Sequence, residues 1–288
     1  MWKFKLPATL LIFLYGAAVY SLDTCQTFFQ QSLSGNFAAT LHTKEGRLPT
    51  LTVESEVALQ TDLARGILTV HVDQSERLET FDLPKRNWQN PLKRVAGQLN
   101  VVNDQSDAPF PFLDIQTRAG TIRLYRALGF GGTNSVFLGK INQRLVAVKI
   151  LQGGSPRQAL INRNQEESDF LTAVQNESAF INPRLQRAVT LARQHSSLFP
   201  KIIIPFDPAT GIMVKELVLG PTFKDTQIED KYGNLIGTRI AHSEAAINSI
   251  KSLVESWESS LRAPHIFDTG DANFIYFDGR WYFADPLF

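Results

Sequence analysis

Apolar and polar positions alternate early in this chain. Leu51, Val53, Val57 and Leu59 alternate with Thr52, Glu54, Glu56 and Gln60, the period of a half-buried strand. Leu68, Val70 and Val72 repeat the alternation after Gly66, and turn-prone runs such as Asn103-Asp104-Gln105-Ser106-Asp107-Ala108-Pro109 separate such segments. Residues 22–119 are therefore expected to form a β-rich N-terminal region, either an accessory unit or an extension packed on the next domain.

From residue 120 the pattern changes. Residues 121–128, 135–142 and 144–151 read as three consecutive strands, the first two joined by a glycine-rich turn. Gly153-Gly154-Ser155-Pro156 breaks the sheet, and a helix is expected over 157–174 with Phe170 and Leu171 on its buried face. Residues 201–204 and 212–214 read as strands joined by a Pro-Ala-Thr-Gly turn. Ser243 is suited to N-cap a second helix, striped by Ile247, Ile250, Val254, Trp257 and Leu261 and ended by Pro264. Two aromatic strands, 274–277 and 281–283, hinge at Asp278-Gly279, a strong hairpin signal.

Composition bounds the class. The chain has 288 residues, 43% hydrophobic and 20% charged, ordinary for a protein with a real core. A formal charge of +1 with scattered Lys and Arg gives no footprint for nucleic acid as the main partner. Trp2-Lys3-Phe4-Lys5, the apolar run 6–18 and Val19-Tyr20-Ser21 follow the order of a secretory signal peptide over 1–21. A secreted or periplasmic protein is expected. The rival is an N-terminal membrane anchor, but the run is shorter than the roughly 20 residues a spanning helix needs, so no stable insertion is expected after cleavage. Cys25 is the only cysteine, so no intrachain disulfide forms. The five histidines lack metal-ligand spacing, and no Gly-x-Ser-x-Gly elbow is present.

The chemistry gathers after residue 120. Leu128-Gly129-Phe130-Gly131-Gly132-Thr133-Asn134-Ser135-Val136 is a glycine-rich turn between two strands. Such a backbone can close over phosphate oxygens and offer them N–H groups. Val146-Ala147-Val148-Lys149 then ends an apolar run in a point charge suited to phosphates. Downstream come Glu166-Glu167, Met213-Val214-Lys215-Glu216-Leu217-Val218, His265-Ile266-Phe267-Asp268-Thr269-Gly270-Asp271-Ala272-Asn273 and Asp285.

In that order these motifs resemble the protein-kinase-like superfamily, which includes aminoglycoside, choline and fructosamine kinases. The resemblance covers residues 120–288. It implies an α+β, two-lobed kinase-like fold, with an N-lobe over about 120–216 and a reduced C-lobe over about 219–288. It implies ATP and Mg²⁺ as cofactors. Gly129 and Gly131 match the first two glycines of the phosphate loop, Asn134 holds the third glycine position, and Val136 would lie against adenine. Asparagine tolerates left-handed backbone there. Ala147 would clear space for adenine and Lys149 would pair with the α- and β-phosphates, held by Glu167 with Glu166 as the near alternative. Glu216 and Val218 would read the adenine edge through backbone C=O and N–H groups. Asp268, in an Asp-x-x-x-x-Asn spacing, would take the proton of the acceptor hydroxyl, and Asn273 and Asp285 would hold the metal.

The sequence departs from the pattern in three places. The Arg of the His-Arg-Asp motif is missing, and His265 lies one residue further from Asp268 than usual. Asp285-Pro286-Leu287 replaces Asp-Phe-Gly, closer to some small-molecule kinases. With the sequence ending at Phe288, no peptide platform is expected beyond the metal site. The expected function is an exported minimal phosphotransferase moving the γ-phosphate of ATP to a hydroxyl, of a protein first, with delivery into another cell's ATP-rich compartment. The alternatives are a small-molecule kinase, nucleotidyl transfer on the same scaffold, and a pseudokinase binding module.

Overall fold

The computed structural model describes residues 48–72, 78–83, 91–99, 112–152, 157–176, 183–261 and 266–287. The expected signal segment, Cys25, the polar run 103–109, the break at 153–156, Pro264 and His265 lie outside the described residues.

In chain order the elements are β1 (Leu51–Thr52), α1 (Glu56–Arg65), β2 (Ile67–Val72), β3 (Leu78–Asp82), α2 (Pro91–Gln98) and β4 (Leu113–Thr117). Next come β5 (Gly120–Phe130), β6 (Asn134–Ile141), β7 (Arg144–Leu151), α3 (Arg157–Gln175), α4 (Pro183–Arg193), β8 (Ile202–Asp207) and β9 (Ile212–Glu216). The rest comprises a one-turn α5 (Phe223–Thr226), β10 (Gln227–Glu229), β11 (Leu235–Thr238), α6 (Ser243–Leu261), β12 (Phe274–Phe277) and β13 (Arg280–Phe283).

The strand expected through residues 51–60 is corrected. Only Leu51 and Thr52 are extended, and Glu56–Arg65 is helical. Local chemistry explains it. Ser55 accepts from the Ala58 amide as N-cap, Glu56 sits in the positive first turn, and Gly66 closes the helix at φ 77°. Leu59 is buried on one face while Val57 is 76% exposed, an arrangement a strand would not give. β2 does alternate, with Leu68, Val70 and Val72 buried between half-buried neighbours.

Nine strands form one sheet in the order β3-β2-β1-β7-β6-β5-β4, with β9 also pairing β7 and β8 pairing β9. Every pair is antiparallel. The sheet runs without a break across the expected boundary at residue 119, which falls inside the β4–β5 hairpin (Thr117 opposite Gly120). One face, with Ile122, Leu124, Phe137, Val146 and Val148, is covered by Leu92, Val95 and Ala96 of α2. The other packs Leu51, Leu59 and Leu68 with Leu138 and Leu145, and reaches Phe277 and Tyr282.

A second core joins α3, α4, α6 and the β12–β13 hairpin. Ile247, Ile250, Val254 and Trp257 are its buried stripe on α6. Ser243, expected as the N-cap, is instead the first residue of α6, and its Oγ donates back to the Ile240 carbonyl at 2.6 Å. The hairpin turns at Asp278 (φ 46°) and Gly279 (φ 79°), the paired left-handed residues of a type I′ turn. Between β9 and α5 the chain passes β12 so closely that a Cβ on Gly220 would lie 2.0 Å from the Tyr276 carbonyl oxygen. These contacts join the sheet to the second core, and the candidate site lies at that junction.

Candidate active site

Register in the sheet sets up the site. Gly129 lies opposite Val136, Val136 opposite Lys149, and Lys149 opposite Met213. One step along, Leu138 faces Ala147 and Ala147 faces Lys215. Directly opposed residues share a sheet face, so Val136, Ala147, Lys149 and Lys215 all lie on one side. Lys149 and Lys215 are both buried. A buried ammonium needs a carboxylate, and α3 supplies it.

Glu167 lies on the inward stripe of α3 with Asn164, Ser168 and Leu171. Spacings of three, four and seven residues place these on one helix face. Ser168 fastens that face to β8 by accepting from the Phe206 amide at 2.9 Å. Lys149 Nζ donates to Glu167 Oε2 at 2.5 Å and to Asp285 Oδ1 at 2.6 Å. Glu167, and not Glu166, is the glutamate that reaches Lys149. Removing one partner of a pair this buried costs about 3–5 kcal/mol, because the other charge is left without compensation.

Lys215 completes the cluster. Its ammonium donates to Glu167 Oε1 at 2.9 Å and to the Ala284 carbonyl at 2.7 Å, and lies 3.7 Å from Asp285. Burial pushes the Lys149 ammonium towards neutrality, but Glu167 and Asp285 outweigh it and raise its pKa. Burial and the neighbouring Asp285 raise the pKa of Glu167 against the pull of the two lysines. Asp285, also opposed by burial, is held well below the usual carboxylate range by Lys149 and Lys215.

The Asp268–Asn273 segment is fixed at both ends. Phe267 is buried between the rings of Phe170 and Trp257, at centroid distances of 5.5 and 5.7 Å. Glu258 of α6 accepts from the Ile266 and Phe267 amides at 2.8 and 2.9 Å. Two helical turns earlier, Lys251 donates to Asp271 at 2.6 Å, and Gln227 donates to the same carboxylate at 2.7 Å. The Asp268 amide donates to the Pro286 carbonyl, and Phe267 bridges Leu287. Among the described residues, the Asp268 side chain accepts only from the Gly270 amide, at 3.1 Å, which leaves carboxylate capacity for a proton.

Asn273 Nδ2 donates to the Asp268 carbonyl at 2.9 Å. The partner is an acceptor, so the amide nitrogen must point to it and Oδ1 is the atom left over. The Asn273 carbonyl accepts from the Ala284 amide at 2.8 Å, one residue before Asp285. An amide oxygen and a carboxylate offered from adjoining segments are hard donors, and they fit Mg²⁺ in kind.

The glycine turn is built differently from the expectation. β5 continues through Gly129 to Phe130, and neither Gly129, Gly131 nor Gly132 has positive φ. Asn134 is not left-handed either. It begins β6 opposite Leu151 with its side chain buried. The Gly131 amide donates to the Asn134 carbonyl at 2.8 Å, so that N–H is spent inside the turn. Gln152 clamps the turn from β7's end, its amide bonding the Thr133 carbonyl and its side chain Ser135 Oγ. A Cβ on Gly129 or Gly132 would meet nothing within 4 Å, so these glycines leave open space and not a strained backbone.

At the expected hinge, the Glu216 amide donates to the Lys201 carbonyl at 2.8 Å and is not free for a base edge. The Glu216 side chain is buried against Arg144 at 2.8 Å and the Lys201 amide at 3.0 Å, so its role here is to join β7, β9 and the start of β8. Val218 is half-buried against the core. Lys149, Glu167, Asp285, Asn273 and Asp268 are thus linked through direct bonds or adjoining backbone, while Gly129, Asn134, Val136 and Ala147 lie in the strands beside Lys149 and Gly131 in the turn between β5 and β6. The pattern alone does not single out Lys215, Gln152, Lys251 or Glu258. One signal for Lys215 is available: a charge inside Ile212-Met213-Val214-Lys215 demands a buried partner.

No protein-family model matches this chain, and no curated protein is significantly similar to it. Among the described residues, no helix is long and apolar enough to cross a membrane.

Proposed function

We propose that the protein is a minimal, ATP- and Mg²⁺-dependent phosphotransferase of kinase-like, two-lobed architecture, moving the γ-phosphate to a hydroxyl of a protein. The observation that carries this reading is the meeting of Lys149 from the sheet, Glu167 from α3 and Asp285 beyond β13 within 2.5–2.6 Å contacts. Three distant parts of the sequence are spent on one charge cluster, beside a segment that offers the Asp268 carboxylate, which accepts from the Gly270 amide.

Phosphoryl transfer asks a protein mainly to position its reactants and to neutralise charge. Lys149 would hold phosphate oxygens, with Glu167 keeping its ammonium in place. Asp268 would orient the acceptor hydroxyl and take its proton. Mg²⁺, when bound, supplies charge neutralisation on the phosphates, with Asn273 and Asp285 as its protein ligands. The signal-like residues 1–21 are the basis for proposing that the protein acts outside the cell that makes it.

The test is transfer of labelled γ-phosphate by the protein without residues 1–21 to a cell lysate. Wild type should label an acceptor, and Asp268→Ala should lower the rate by about 100-fold or more, the lower range for losing a general base. Equal, negligible labelling by both proteins would refute catalysis as assigned. Labelling confined to metabolites would move the acceptor from protein to small molecule.

A further inference from the structure

Glu167 is a single buried carboxylate bonded by two ammonium groups, one to each oxygen. One lysine would have been enough to neutralise it. The second has an electrostatic consequence for any anion that approaches Lys149.

With Lys149 and Glu167 alone, the ion pair would sum to zero and no net positive charge would face a phosphate. With Lys215 added, the three groups sum to +1, and Asp285 returns the cluster to neutrality. The members differ in freedom. The side chains of Lys149, Glu167 and Lys215 are 2–7% exposed, whereas Asp285 is 41% exposed. Asp285 is therefore the most exposed member of the cluster, the one that a bound cation or solvent can draw from Lys149. Lys215 also holds the Ala284 carbonyl, which fixes the backbone beside Asp285.

We infer that Lys215 is a positioning residue which occupies Glu167 and thereby leaves Lys149 with a net positive charge for an anionic ligand, a nucleoside triphosphate or another polyphosphate. This rests on the proposal that phosphates bind at Lys149. Lys215 does not itself touch the ligand, since its ammonium is committed to Glu167 and Ala284. It acts through the charge it cancels.

The experiment measures dissociation constants of ATP and of tripolyphosphate, with melting temperature recorded for every variant. Lys215→Met should weaken both ligands by about tenfold or more, as expected for a lost charge in a poorly solvated site. Lys215→Arg should bind like wild type. The decisive variant is Lys215→Met combined with Glu167→Gln, which removes one charge of each sign and restores the sum. Its affinity should return to within about threefold of wild type, a difference well under one tenfold step.

Wild-type affinity in Lys215→Met, or weak binding that Glu167→Gln does not recover, overturns the inference. If Lys215→Met fails to fold, Lys215→Gln takes its place and is judged by the same two outcomes. If wild type binds neither probe, the phosphotransferase reading itself falls. If wild type binds, Lys149→Met does not, and Lys215→Met is unaffected, only the role of Lys215 falls.

Discussion

Asp285 and Glu167 share two lysines, yet their proton affinities move in opposite directions, and stability should change accordingly. Asp285 is held below its ordinary value of 3.8, because Lys149 and Lys215 outweigh its burial. A depressed carboxyl contributes stability that is present above the unfolded value and lost as pH falls through the folded one. Glu167 is raised above 4.5 by burial and by Asp285, so its contribution has the other sign and declines as pH climbs through the raised value. Thermal melts between pH 2 and pH 6 should therefore show an acid limb starting near pH 4 in wild type. Asp285→Asn should make that limb shallower without abolishing it, because Glu56, bonded by Lys140 and Tyr125 against the cost of its burial, is also held below its ordinary value; an unchanged limb in this variant would mean that Asp285 is not held by the lysines. Residues of this kind were legible where their partners are near in sequence. Asp268 and Asn273 are five positions apart and bond directly, so their spacing announces them. Lys215 meets Glu167 across 48 positions, and only the fold brings the two together.

Among the elements, α6 does most to hold the candidate catalytic segment. Lys251 and Glu258 stand two turns apart on the same side of the helix and grip Asp271 and the Ile266–Phe267 amides. Hydrogen bonds to a charged group contribute about 1.5–3 kcal/mol each. Glu258→Ala should loosen Asp268 without touching Lys149, lowering kcat for γ-phosphate transfer while leaving KM for ATP near its wild-type value. A matching rise in KM would place Glu258 in nucleotide binding instead. The β12–β13 hairpin and α6 were readable because turn residues and a helical stripe are local signals. The pattern hides α1 because Leu51, Val53, Val57 and Leu59 satisfy a two-residue period by coincidence, while Ser55 and Gly66 carry the helix ends. α2 and α4 owe their places to packing on the sheet and on α6, and neither stands out from its pattern alone.

At the scale of the molecule, β1, β2, β3 and β4 share a sheet, and the described residues around them a core, with the strands that carry Lys149. Leu51, Leu59, Leu68 and Val70 are almost fully buried against Leu138 and Leu145. Each such side chain contributes about 1.5–3 kcal/mol. A fragment of residues 120–288 should therefore lose its cooperative melting transition in circular dichroism. A fragment that melts as sharply as the whole chain would show that the N-terminal strands are dispensable. Their membership was hidden in the sequence because strand pairing is non-local. Thr52 lies opposite Arg144, roughly ninety positions further on, where β1 takes the stretch of β7's edge that β9 leaves open. That pairing has a consequence in time. At synthesis rates of about 5–20 residues per second, β1 waits roughly 5–20 s before β7 exists to receive it. Pairings this distant also fold slowly, since loop closure comes before its reward. The chain therefore spends its first seconds with an apolar strand edge awaiting its partner.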